Sequence, residues 1–175
     1  MRINSYHAPE GGLPPQSRLL TDRAVFTEAY AVIPKGTLRD ITASLLPFWE
    51  NSRFWVLSRP LSGFAETFSQ YIAEVAPGGG SARPETDAGV EAALFVLEGQ
   101  VELTVAGVRH TLMPGGFAYL PPEAGWTLRN TGAGPARFHW IRKRYQALDG
   151  LEAPEAVIAN ENQITPAAMP DTDGR

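Results

Sequence analysis

Hydrophobic and polar positions alternate through the middle of this chain. From Glu91 to Asn130 it reads EAALFVLEGQVELTVAGVRHTLMPGGFAYLPPEAGWTLRN. An apolar run closes on Glu98-Gly99, after which Val101, Leu103 and Val105 alternate with polar neighbours. Ala106-Gly107 reads as a two-residue turn into a second short strand ending at Leu112. Pro114-Gly115-Gly116 introduces Phe117 to Leu120, and Pro121-Pro122 breaks the chain before Trp126 to Asn130. Short strands of period two between Gly and Pro turns predict an antiparallel sandwich or barrel. On the flanks, Arg23 to Pro34, Phe54 to Ser58, Thr67 to Ala76 and Ala136 to Arg142 carry further strand patterns. Pro47 rules out a long helix through Ile41 to Trp55. Pro77-Gly78-Gly79-Gly80 reads as the opening of a polar loop, SARPETDAGVE.

Composition narrows this picture. At 175 residues the chain supports one substantial core, and a hydrophobic fraction of 43% excludes wholesale disorder. Its 17 Gly and 15 Pro supply the turns that a many-stranded fold requires. A net charge of −4 leaves no basic footprint for nucleic acid. There is no cysteine, hence no disulfide framework, thiol nucleophile or thiolate metal site. No apolar run approaches the length needed to span a bilayer, and the first residues carry no secretory apolar stretch. The expectation is a cytoplasmic protein. The pattern divides into an N-terminal arm (1–20), a β-barrel (21–145) and a polar linker (146–175) without a strand or helix pattern.

The order of strands and turns resembles the paired motifs of the cupin superfamily, which implies an all-β, antiparallel jelly-roll barrel. Cupins typically hold a divalent metal with His-x-His and Glu from a first motif and one His from a second. With the first motif anchored on the closing Gly99, the glutamate slot falls on Ala92 and the two histidine slots on Thr86 and Ala88. Gly115, Pro121 and Asn130 fit the second motif, whose histidine slot falls on Trp126. Alanine has no ligand atom, a lone threonine hydroxyl is a poor one, and indole only donates. The expectation is a barrel without metal.

Neighbouring residues do not restore the set. Glu91 lies one residue from the glutamate slot, and a one-residue step in a strand turns a side chain to the opposite face. The reading for Glu91 is a solvated or interface carboxylate. His7 lies in the arm and His110 follows a turn. His139 alternates with Phe138 and Trp140, so it points outward if those two point in. That parity counts against metal-independent chemistry of the His-Asp kind found in sugar-epimerase cupins. No Gly-x-Ser-x-Gly elbow or phosphate-binding loop is present.

The resemblance extends further. The glycine loop, ETDAGVEAALFVLEGQVELTV, GGFAYLPPEAGWTLRN and FHWIRKRYQAL are similar to the N-terminal half of the (S)-ureidoglycine aminohydrolase family, over about residues 15 to 175. These are bicupins of purine (allantoin) catabolism. The resemblance implies an enzyme that converts ureidoglycine and water to ureidoglycolate and ammonia. Its manganese-type metal and substrate contacts would lie in a C-terminal cupin beyond this chain. Catalytic residues are therefore assigned to no position here, and no cofactor is expected in this barrel. The expected partner is a second cupin domain or another copy of the chain. The alternative is a stand-alone binding module for a small ligand such as a ureide, with Tyr119, Trp126, Phe138 and Trp140 lining an aromatic pocket. Packing of these rings into the core is the competing expectation.

Overall fold

The computed structural model describes residues 25–26, 31–32, 45–58, 67–165 and 167. The arm over 1–20, the Pro60–Gly63 loop, His7 and the last residues of the linker lie outside the described residues. Within Arg23 to Pro34 there are two short strands rather than one. β1 (Val25–Phe26) and β2 (Ala31–Val32) pair antiparallel, with Val25 opposite Val32.

The remaining strands form one antiparallel sheet that curls into a barrel. They are β3 (Glu50–Ser58), β4 (Phe68–Ser81), β5 (Val90–Glu98), β6 (Val101–Val105), β7 (Val108–Leu112), β8 (Gly116–Leu120), β9 (Trp126–Arg129), β10 (Ala136–Arg144) and β11 (Val157–Asn160). The spatial order is β11-β8-β5-β10-β4-β9-β6-β7, with β3 added along β4. Strand β4 joins the two halves. Its first part lies between β3 and β10, and its last two residues pair with β9 through Gly80↔Arg129 and Ser81↔Leu128. The glycine run is thus part of a strand and not the opening of a loop. A Cβ on Gly80 (φ +140°) would sit 2.0 Å from the Leu128 carbonyl oxygen, so only glycine permits this crossing.

Period-two alternation places one face of every strand inside. Val101, Leu103 and Val105 are buried while Glu102 and Thr104 between them are not. The same parity buries Ala92, Leu94 and Val96 on β5, and Ala136, Phe138 and Trp140 on β10. Between β6 and β7, Ala106 (φ 49°) and Gly107 (φ 82°) both take left-handed conformations, the geometry of a type I′ hairpin. Asn130 is buried, with its amide nitrogen donating to the Val75 (2.8 Å) and Gly134 (2.9 Å) carbonyls. Its Oδ1 accepts from the Gly132 N–H at 2.8 Å, so no polar group is stranded there.

The linker departs from its polar reading at one place. Val157–Asn160 hydrogen-bonds to β8, with Val157 opposite Tyr119, and a 3-10 turn over Glu161–Gln163 follows. Its four residues are too few for a period-two signal; the strand pairs through its backbone with the β8 edge, and half-buried Ile158 packs against the core.

Candidate functional site

The cupin slots cluster where the loop before β5, the start of β5, the end of β10 and the start of β9 meet. Thr86 and Ala88 are exposed on the loop, while Ala92 and Trp126 are 4% and 7% exposed on the inner face. Methyl groups, one hydroxyl and an indole N–H do not fit a divalent cation, which needs several lone-pair donors converging on one point. Among the described residues no group of three or more His, Cys, Asp and Glu side chains converges in that way.

A guanidinium occupies this end of the barrel instead. Arg142 is the β10 residue directly opposite Ala92 and shares its inner face. It pairs with Glu85 at 2.6 Å, and its guanidinium carbon lies 5.6 Å from the Trp140 ring centroid, a cation–π arrangement. The same Glu85 oxygen accepts from the backbone N–H groups of Thr86 (2.9 Å) and Asp87 (3.0 Å). One step on, Arg144 bonds to Asp87. The two arginines of the IRKRY stretch therefore clasp the loop that carries the histidine slots in metal-binding cupins. The loop is held from the other side by the Glu123 N–H, which donates to the Ala88 carbonyl at 2.8 Å. Glu123 itself adopts φ 64°, a conformation that suits glycine.

Of the four aromatic residues considered for a pocket, three are core. Phe138 and Trp140 are 0% and 1% exposed, and Trp126 packs edge-on against Trp140 at 6.0 Å. Trp49, Phe54 and Tyr71 complete the ring cluster, at 5.5, 6.1 and 5.4 Å from Trp140. These three come from the segment just before β3, from β3 and from β4, and only the tertiary structure brings them beside Trp126, Phe138 and Trp140.

Tyr119 is the exception. It lies between buried Ala118 and Leu120, on the outer face, and so cannot line the interior. Its hydroxyl donates to Glu91 at 2.8 Å, which confirms that Glu91 faces outward as a one-residue step requires. Burial, reinforced by the hydrogen bond and charge of Glu91, pushes the Tyr119 pKa up to about 12. Tyr119 is thus a proton donor and not a phenolate at neutral pH.

His139 also lies on the outer face, between Ile72 and Phe95 in register. Burial lowers its pKa below the ordinary histidine value, and its Nδ1 is buried with no hydrogen-bond partner among the described residues. On the same face Glu74 receives Arg53 (2.8 Å) and Arg137 (2.7 Å). Burial alone would raise its pKa, but the two arginines outweigh it and hold the carboxyl below its usual range.

The fold and the positions of the two motifs define a cupin barrel, and residues 71–142 match the Cupin_2 family model, a cupin domain. The chain is 28% identical over 148 residues to (S)-ureidoglycine aminohydrolase of Escherichia coli (strain K12), covering 83% of this chain and 54% of that one. A solved glyoxylate-induced protein from Pseudomonas aeruginosa is similar at 59% identity and a TM-score of 0.78, over 98% of this chain and 62% of that one. The E. coli protein YlbA, at 24% identity, shares the fold with a TM-score of 0.74 over 87% of this chain and 61% of its own length. The chain thus spans a little over half the length of these relatives. Among the described residues, no helix is long and apolar enough to cross a membrane.

Proposed function

We propose that this barrel is the non-catalytic cupin of a ureidoglycine aminohydrolase-like enzyme, working in the cytoplasm in purine (allantoin) degradation. In this reading, release of ammonia from ureidoglycine to give ureidoglycolate takes place in a second, metal-holding cupin, with a manganese-type ion. The present barrel is the scaffold against which that second barrel, or another copy of the chain, assembles.

The observation that carries the reading is the replacement at the four slots. Thr86, Ala88, Ala92 and Trp126 stand where a metal-dependent cupin has donors, and the Arg142–Glu85 pair lies beside them. Metal-assisted hydrolysis needs an open coordination position and a placed proton carrier. A guanidinium already neutralised by a carboxylate and stacked on Trp140 supplies neither. Trp140 and its ring cluster fill the interior with packed side chains instead. The similarity to the E. coli enzyme supports the substrate class.

The test is reconstitution. The 175-residue chain alone should release no ammonia from ureidoglycine, and addition of the C-terminal portion of the E. coli enzyme should bring release with manganese. Ammonia release by the isolated chain would overturn the scaffold reading. Release by the C-terminal portion that is indifferent to this barrel would overturn it as well.

A further inference from the structure

The outward-facing residues of the IRKRY stretch form a second feature, on the opposite side of the sheet from the arginine clasp. Ile141 and Lys143 of β10, Ala93 and Glu91 of β5, Tyr119 of β8 and Phe68 of β4 line a groove of about 390 Å³. The register sets this up. Lys143 lies directly opposite Glu91 on one side and Phe68 on the other, and Ile141 lies opposite Ala93. The floor is apolar, and Ile141 is 37% exposed upon it.

The charges on the walls are the unusual part. An opposed glutamate and lysine on neighbouring strands ordinarily pair. Here Glu91 turns away to accept the Tyr119 hydroxyl at 2.8 Å, and Lys143 forms no ion pair or hydrogen bond among the described residues. The groove therefore offers a fixed carboxylate and a separate ammonium side by side, with the apolar floor of Ala93 and Ile141 next along the strands. A purely anionic molecule meets Glu91, and a purely cationic one meets Lys143. An uncharged apolar molecule offers neither charge a partner of its own while taking water from both. A metal ion finds one carboxylate and a repelling ammonium.

We propose that this groove binds a small aliphatic zwitterion of the α-amino-acid kind. Its ammonium rests on Glu91, its carboxylate on Lys143 and its aliphatic part on Phe68, Ala93 and Ile141. The volume lies within the range of small-molecule sites. Tyr119 holds the Glu91 carboxylate in one orientation, so less side-chain freedom is lost on binding. Because the charges are open to solvent, the affinity is modest, on the order of 1 mM.

The experiment is a titration of the 15N-labelled chain with L-leucine, L-leucinamide, which lacks the carboxylate, and N-acetyl-L-leucine, which lacks the ammonium. Leucine should shift the amides of Ala93, Tyr119 and Ile141 saturably, and each analogue should bind about tenfold more weakly. Glu91→Gln, which keeps an acceptor for Tyr119, should abolish the advantage of leucine over N-acetyl-leucine. Lys143→Met should abolish its advantage over leucinamide. Absence of saturable shifts at the groove overturns the proposal, as does equal binding of all three compounds. Shifts unchanged in both variants overturn it too. The comparison of the three compounds on the unmodified chain stands alone if a variant fails to fold.

Discussion

Trp140 touches Trp49, Tyr71, Phe54 and Trp126 with ring centroids 5.4 to 6.1 Å apart, and Arg142 lies over its face. Replacing it with alanine should cost about 3–5 kcal/mol in urea unfolding, the range for large aromatic deletions in a core. Trp126 differs, because histidine at that position would rebuild one ligand of the cupin set. Trp126→His should still bind no manganese, since Thr86, Ala88 and Ala92 remain as they are, and it should lower stability through lost packing. Glu123 holds φ 64° with an exposed side chain, so Glu123→Gly should raise stability by roughly 0.5–1 kcal/mol. Two groups on the outer face set the response to acid. His139 has a folded pKa below its ordinary 6.5, so the unfolded chain takes up its proton first, and stability falls as pH drops below about 6.5. Glu74 also has a lowered folded pKa, so its contribution is present above the ordinary 4.5 and is lost at lower pH. A pH series of urea midpoints should show two separate declines, with His139→Phe flattening the first and Glu74→Gln the second.

At the scale of elements, the sequence was most legible where period two ran unbroken. β5 through β9 follow the alternation and turns of Glu91 to Asn130 closely, because each strand has one face in the core and one in water. The outward parity of Glu91 and His139 was legible for the same reason. The ring of Tyr119 suggests the interior, but Ala118 and Leu120 beside it fix the parity the other way. In sequence the Gly78–Gly80 run reads as a loop because glycine signals turns; its part in β4 depends on a crossing with Leu128 that only the tertiary structure shows. Gly80→Ala should therefore separate β4 from β9 and destabilise the barrel by more than about 3 kcal/mol, well beyond the usual cost of a glycine replacement in a strand. The Arg142–Glu85 clasp could not be read either, since its members stand 57 residues apart. The absence of donors at the slots, in contrast, needed only the motif spacing.

For the whole molecule, the end of the barrel where the cupin slots fall carries an arginine clasp, beside the aromatic interior and the buried Asn130. As the proposed scaffold, this barrel supports chemistry done in a second cupin. The most direct measurement is manganese binding by the purified chain, followed through the free-ion EPR signal, with ammonia release from ureidoglycine assayed in the same samples. The free-ion signal should stay undiminished at stoichiometric protein, and no ammonia should appear. One manganese bound per chain together with ammonia release would contradict it.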